Sequence, residues 1–211
     1  MKKSFLFSFL VLSAMLTSFT AGKDNFVGRI MYKYSFSDLN GNDITERVAP
    51  ILGREQRYFI NERSYKAYDE NNRWMQLYTS EDNLYYYFGK DNTAQKFDGA
   101  TQTSQKFVVT KLDKQETIAG YPCKAIQIET DNITTIYYYT PAVKVDVAPF
   151  ARHTFGEWSK YLQATDGALS LKFVMTDHKN KYVWTSTAQE VAKQALSAAE
   201  FKYPTEIKLK N

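Results

Sequence analysis

REQRYFINERSYKAYDENNRWMQLYTSEDNLYYYFG, residues 54–89, decides the fold. Four short runs stand in it, at 54–61, 64–69, 73–79 and 83–89, each rich in the aromatic and branched side chains that suit a pleated sheet. The breaks between them are Asn-Glu-Arg, Glu-Asn-Asn and Ser-Glu-Asp. Links this short cannot hold a helical crossover, so they join antiparallel neighbours. The stretch predicts an antiparallel meander.

Working outward, the same texture continues on both sides. FVGRIMYKYSF, 26–36, places Phe26, Ile30, Tyr32, Tyr34 and Phe36 on one face with Gly28. Arg29, Lys33 and Ser35 take the other face, the period of a half-buried strand. ITERVAPILG, 44–53, has helical spacing interrupted by Pro50 and reads as a short helical turn or loop. Residues 90–104 form a polar loop around a weak strand at Gln95–Asp98. KFVVTKL (106–112), CKAIQIE (123–129) and NITTIYYYT (132–140) are further strands, the last two joined at Thr130-Asp131 and the second preceded by a Gly-Tyr-Pro turn.

The texture changes after Pro141. In HTFGEWSKYLQATDG, 153–167, Thr154 precedes Glu157 by the spacing of a capping box. Phe155, Trp158 and Leu162 then fall on one helical face, which predicts a helix over 155–163. LSLKFVMT (169–176) and KYVWTSTA (181–188) form a hairpin. EVAKQALSAAEF, 190–201, reads either as helix or as a strand through Val191 followed by one helical turn at Ser197–Glu200. The fold class is mainly β (α+β): a single, mostly antiparallel sheet with one main helix inserted late.

The N-terminus reads as a secretory signal peptide over residues 1–22. Lys2 and Lys3 precede an uncharged run from Phe5 to Phe19, and Thr20-Ala21-Gly22 offers small residues for cleavage before Lys23. Residues 23–211 then form one β-rich domain, periplasmic or secreted. Lys2 and Lys3 supply two of the 27 basic residues, which face 23 acidic ones, and no basic block stands out. That argues against a nucleic-acid partner, and no stretch after the signal is long and apolar enough for a membrane span.

Cys123 is the one cysteine, so no internal disulfide forms. It opens a strand beside Pro122, with Lys124 pointing to the opposite face and no local activating partner. It reads as a small packed hydrophobe. The two histidines, His153 and His178, are isolated, which gives no metal-ligand spacing and no nucleophile–base signature. No phosphate loop, cofactor fingerprint or hydrolase elbow is present, so the expectation is a non-enzymatic protein with no metal and no cofactor.

The aromatics carry what remains. The chain has 16 tyrosines and 14 phenylalanines. Tyr85 to Phe88, and again Tyr137 to Tyr139, put rings on both faces of a strand. A sheet so apolar must roll up or be covered. A nine-residue helix spans only ~13 Å, too little to cover it, so part of one face is expected to stay open as a mostly apolar pocket. Tyr85, Tyr87, Tyr137, Tyr139, Trp158 and Trp184 are expected to line it. A one-residue slip in register would instead send Tyr86 and Tyr138 inward.

Several segments also resemble a family. Glu116 to Ala125 (ETIAGYPCKA), Asp166 to Lys172 (DGALSLK), Thr187 to Val191 with Phe201 to Pro204 (FKYP), and the opening Phe26-Val-Gly-Arg-Ile-Met-Tyr32 are similar, in order, to small exported Bacteroidota proteins of the GLPGLI family and related secreted domains. These are distantly similar to LolA/LppX-type envelope proteins. The resemblance implies a strongly curved half-barrel with helices over its open side and a lipid or other apolar ligand in the cavity. Two functions follow: carriage of a hydrophobic or amphipathic envelope molecule, or docking onto an envelope protein or glycan without a small ligand.

Cleavage after Gly22 is the first testable outcome. N-terminal sequencing of protein recovered from a soluble envelope or secreted fraction should begin at Lys23, whereas intact Met1 on membrane-embedded material would overturn the export reading.

Overall fold

The computed structural model describes residues 25–210, so the signal segment, residues 1–22, lies outside the described residues. In chain order the elements are β1 (Gly28–Asp38), α1 (Thr45–Leu52), β2 (Glu55–Ile60), β3 (Ser64–Tyr68), β4 (Trp74–Thr79), β5 (Leu84–Phe88) and β6 (Thr93–Asp98). There follow β7 (Val108–Ile118), β8 (Tyr121–Glu129), β9 (Ile133–Lys144), α2 (Trp158–Ala164), β10 (Ala168–Asp177), β11 (Tyr182–Lys193) and β12 (Lys208–Leu209). All twelve strands belong to one sheet, in the order β12-β6-β5-β4-β3-β2-β1-β11-β10-β9-β8-β7. It is two meanders, β1 to β6 and β7 to β11, sewn together where β1 pairs antiparallel with β11 from Gly28↔Lys193 to Asp38↔Tyr182. Only β12, against β6, is parallel among the described residues.

This topology forces curvature. β6 and β7 are consecutive in the chain but stand ten strand spacings apart in the sheet order. In a flat sheet ten spacings cover roughly 48 Å. The chain has ten Cα steps from Asp98 to Val108, which reach at most ~36 Å. A flat sheet cannot be connected, so the sheet curls until the link spans its mouth. The link is anchored along the way, with the backbone N–H groups of Thr154 and Phe155 donating to the Gly99 carbonyl and those of Gln105 and Lys106 donating to the Asp131 carboxylate.

Local chemistry supports each turn. Asn72, Asn83 and Asn92 take left-handed conformations in the tight links of the first meander, which asparagine tolerates better than most residues. β7 and β8 are joined by Ala119-Gly120, both at positive φ (48° and 83°), as a two-residue hairpin twisted to match its strands requires. The turn therefore lies one residue earlier than the expected Gly-Tyr-Pro and shares only Gly120 with it; Tyr121 and Pro122 are already in β8, opposite Ile118 and Thr117.

The two faces close differently. The inner face carries Ile30, Tyr34, Tyr58, Tyr65, Tyr78 and Leu171, all buried. It is covered by the insertion between β9 and β10, whose Phe150, Tyr161 and Leu162 join the same core. The outer face of β2 to β6 carries Phe59, Leu77, Tyr86 and Phe88, covered by the C-terminal segment through Leu196, Phe201 and Ile207. Under that segment Lys66 is almost fully buried. Its ammonium lies 5.2–5.9 Å from the ring centres of Phe59, Tyr68, Trp74 and Phe201 and donates to the Glu200 carbonyl at 2.8 Å. Cation–π attraction and that hydrogen bond offset the desolvation, and burial lowers the ammonium pKa. Two coverings explain why both faces of β5 are aromatic.

Two local readings are corrected and an open one is decided. The helix expected over 155–163 is only Trp158–Ala164, because Gly156 and Glu157 turn left-handed (φ 63° and 61°). The capping box does not form. Thr154 donates to the Gly99 carbonyl, and the Glu157 carboxylate accepts from the backbone N–H and hydroxyl of Ser104 and pairs with Lys160 at 2.7 Å. Those partners hold a non-glycine residue in a conformation that costs of order 1–3 kcal/mol. The segment 44–53 holds a true helix, α1 (Thr45–Leu52), since Pro50 sits late in it and forfeits one bond at the end. The segment 190–201 follows the strand alternative: β11 continues to Lys193, and a single helical turn forms at Ala198–Phe201.

His153, one of the two isolated histidines, is fully buried in the insertion. It stacks on Tyr78 (3.9 Å between ring centres, 6° between planes) and shares a 2.6 Å hydrogen bond with the Tyr65 hydroxyl. Burial pushes its pKa from 6.5 down to about 4. The native state thus holds the neutral ring, while the unfolded chain takes up a proton as pH falls through 6.5. Stability is full above that pH and declines until about pH 4, by about 2 kcal/mol at pH 5 and about 3 kcal/mol at pH 4. Glu157, Asp69 and Asp177 are held below the usual carboxylate range by their hydrogen bonds despite burial, so their losses come at lower pH. Urea unfolding at pH 7.5 and 5.0 should show this drop, and His153→Gln, less stable at pH 7.5, should nearly abolish it. An equal drop in the variant would assign the effect to another group.

Candidate functional site

Strand alternation and register assemble a cavity inside the curl. β1 turns Tyr32 and Tyr34 inward, and its pairing with β11 sets Tyr34 opposite Ser186 and Phe36 opposite Trp184. β10 then sets Phe173 beside Ser186 and Met175 beside Trp184, and β9 sets Tyr137 beside Phe173. On the other side β2 and β4 add Gln56, Tyr58 and Gln76, and α2 lowers Trp158 and Tyr161 as a roof. The cavity has a volume of about 300 Å³ and is partly open to solvent. No Asp, Glu, Lys, Arg or His is among the side chains that line it.

The walls are held ring against ring. Trp184 meets Tyr34 and Phe173 edge-on at 4.9 and 5.2 Å, and Tyr161 stacks on Trp158 at 5.8 Å and packs on Tyr137 at 4.7 Å. Such contacts are worth ≈ 0.5–1.5 kcal/mol each beyond the area they bury, so the roof is rigidly placed. Some polar tips are spent on the protein itself: the Tyr32 hydroxyl donates to the Ser170 carbonyl at 2.6 Å. Others are not. The hydroxyls of Tyr58, Tyr161 and Ser186 and the indole N–H groups of Trp158 and Trp184 are buried and make no hydrogen bond. Burial raises the pKa of the phenols of Tyr32, Tyr34, Tyr58, Tyr137 and Tyr161 above the usual value, so the walls stay neutral at physiological pH.

A second cavity of about 170 Å³ lies under α1, between Ile51, Leu52, Trp74, Met75, Tyr87 and Phe88, with Trp184 as the wall common to both. The α1 helix is held there by Ala49 against the core and by a surface ion pair of Glu46 with Arg54 at 2.6 Å.

Of the six residues expected to line a pocket, Tyr137, Trp158 and Trp184 stand on the first cavity and Tyr87 on the second. Tyr85 faces the same side but is spent on packing, stacked on Phe155 at 4.8 Å with its hydroxyl on Gln76. Tyr139 is buried in the core beside, not on, the cavity. The register is the one in which Tyr86 and Tyr138 point outward, against Tyr203 and under Lys172 respectively. Sequence reasoning passed over Tyr58, Tyr161 and Ser186. Two of them had a signal: Ser186 shares the parity of Trp184, and Tyr161 follows Trp158 by one helical turn.

Cys123 is buried in the core, its thiol 3.4 Å from the Tyr121 carbonyl and its pKa raised by that burial. Among the described residues no group of three His, Cys, Asp or Glu could hold a metal ion, and no helix is long and apolar enough to cross a membrane.

No family model matches the sequence, and no curated protein matches it. Solved structures align with most of it at low identity. PNGF-II is 15% identical and superposes on 87% of this chain with a TM-score of 0.49; this chain spans 31% of its length. An uncharacterized conserved protein from Thermus thermophilus is 9% identical over 87% of this chain and 90% of its own, with a TM-score of 0.49. A LolA superfamily protein from Nitrosomonas europaea is 7% identical over 85% and 91%, with a TM-score of 0.38.

Proposed function

We propose that this protein binds or carries a hydrophobic or amphipathic small molecule, such as a lipid, in the cavity between the curled sheet and α2. The observation that carries this reading is a half-open cavity of about 300 Å³ under α2, with neutral and largely aromatic walls. Protein interiors close such spaces unless something else fills them, and this volume is at the lower end of ligand pockets. It suits a single chain or a compact molecule. Tyr137, Trp158 and Trp184 are the ligand-facing residues among the six that the sequence pointed to, joined by Tyr58, Tyr161 and Ser186.

The walls offer positioning and no proton transfer, since they hold no carboxylate, imidazole, thiol or amine. That supports a non-enzymatic role. The docking alternative needs an exposed aromatic strip. Among the described residues the exposed large apolar side chains are Leu39, Ile51, Tyr87, Val108, Val109 and Leu209, of which only Tyr87 is aromatic. With the signal-like residues 1–22, the reading places the protein in the periplasm or outside the cell.

The test is titration with the neutral fluorophore N-phenyl-1-naphthylamine, together with native mass spectrometry of protein purified from its own host. Saturable one-site enhancement and a co-purifying small molecule are expected, with Trp184→Ala weakening the fluorophore by about tenfold while the fold holds. A protein that carries nothing and gives no saturable signal would return the docking reading.

A further inference from the structure

Buried polar groups in folded proteins are almost always hydrogen-bonded, and each exception needs a reason. Of the buried side-chain atoms among the described residues that lack a hydrogen-bond partner, five belong to walls of the cavity under α2. They are the hydroxyls of Tyr58, Tyr161 and Ser186 and the indole nitrogens of Trp158 and Trp184. Tyr58, Tyr161 and Ser186 are each more than nine-tenths buried. Chance would scatter such atoms through the core. Their gathering on β2, α2 and β11, around one space, marks groups that wait for an occupant.

Their chemistry selects the occupant. An indole N–H donates and cannot accept, so two of the five require an acceptor. The three hydroxyls can donate as well, and the two phenols remain protonated because burial raises their pKa well above the ordinary value. A purely hydrocarbon ligand would leave all five unmade. An anionic ligand would find donors but no counter-charge, since no lining side chain is cationic, and an unpaired buried charge is far costlier than an unpaired dipole.

We propose that the cavity is selective for an uncharged apolar molecule bearing oxygen acceptors, such as an ester or amide, over both hydrocarbons and free carboxylates of the same size. This rests on the binding reading above and adds the chemical class. Donors stand on three different elements, so the acceptor group is met inside the cavity and not at its mouth. A lipid would therefore enter by its ester or amide portion or as a wholly neutral molecule, and a free fatty acid would bind in its protonated form.

The experiment compares three probes of matched shape by isothermal titration at pH 8: butyl benzoate, pentylbenzene and ionised 4-butylbenzoate. Butyl benzoate should bind about tenfold or more tightly than either of the others. Ser186→Ala and Trp184→Phe should each weaken butyl benzoate by about three- to tenfold and leave pentylbenzene nearly unchanged. Circular dichroism and thermal melts establish that both variants fold. If pentylbenzene matches the ester, or the carboxylate outbinds it, the class selectivity is refuted while the binding cavity stands. Loss of binding to all three probes in the wild-type protein would refute both, as would waters alone filling the cavity in a crystal soaked with butyl benzoate.

Discussion

The short link from Asp98 to Val108 sets the terms for everything inside the molecule. Because it must join the two far sides of the strand order, the sheet has an inside and an outside before any side chain is considered. An inside of that width cannot be filled by the sheet's own residues alone, so the chain spends residues 145–167 on an insertion that enters it. The same link then supplies Ser104, whose backbone and hydroxyl hold Glu157 in its left-handed turn. That turn fixes the start of α2 and so the position of Trp158 and Tyr161. Topology, backbone strain and the cavity roof form one chain of cause.

Tyrosine is the residue that makes this arrangement work. It buries a large ring while keeping a polar tip that can be spent locally or held in reserve. Tyr32, Tyr65 and Tyr78 spend theirs on Ser170, His153 and Asn83. Tyr58 and Tyr161 do not. Tyrosines that line the cavity therefore differ in where the hydroxyl goes, not in how deeply the ring is buried.

That distinction marks the limit of what the residues alone disclose. Alternation in 26–36 and 169–176 placed β1 and β10 on their correct faces, and the three short breaks in 54–89 gave the antiparallel meander. The parity of Tyr85 and Tyr137 stayed open, because rings stand on both faces of their strands and either face could have turned inward. What could not be read was which inward ring meets another ring and which meets a void, since that depends on where the insertion comes to rest. Tyr139 and Tyr85 were expected at a pocket and are consumed by packing, whereas Tyr58, mid-strand in REQRYFIN, borders the cavity. The insertion itself misled for a local reason. Thr154 and Glu157 have the spacing of a cap, but each found a stronger partner in the distant residues Gly99 and Ser104. His153 was invisible for the same cause, as its burial is made by Tyr65 and Tyr78 from another part of the chain.

The seam between β1 and β11 has a consequence in time. Each meander can zip from local hairpins, but the pairs from Gly28↔Lys193 onward join the two ends of the chain, contacts of the long-range kind that slow folding. A Cβ on Gly28 would sit 2.1 Å from the Ala192 carbonyl oxygen, so the closing strands come together with almost no clearance. Until β11 has been made, β1 is an eleven-residue open edge with aromatic side chains, and the second meander presents the matching edge. Such edges pair with whatever strand arrives first. At high concentration of newly made chains that strand can come from a second copy, giving exchanged dimers in which each half completes the sheet of the other.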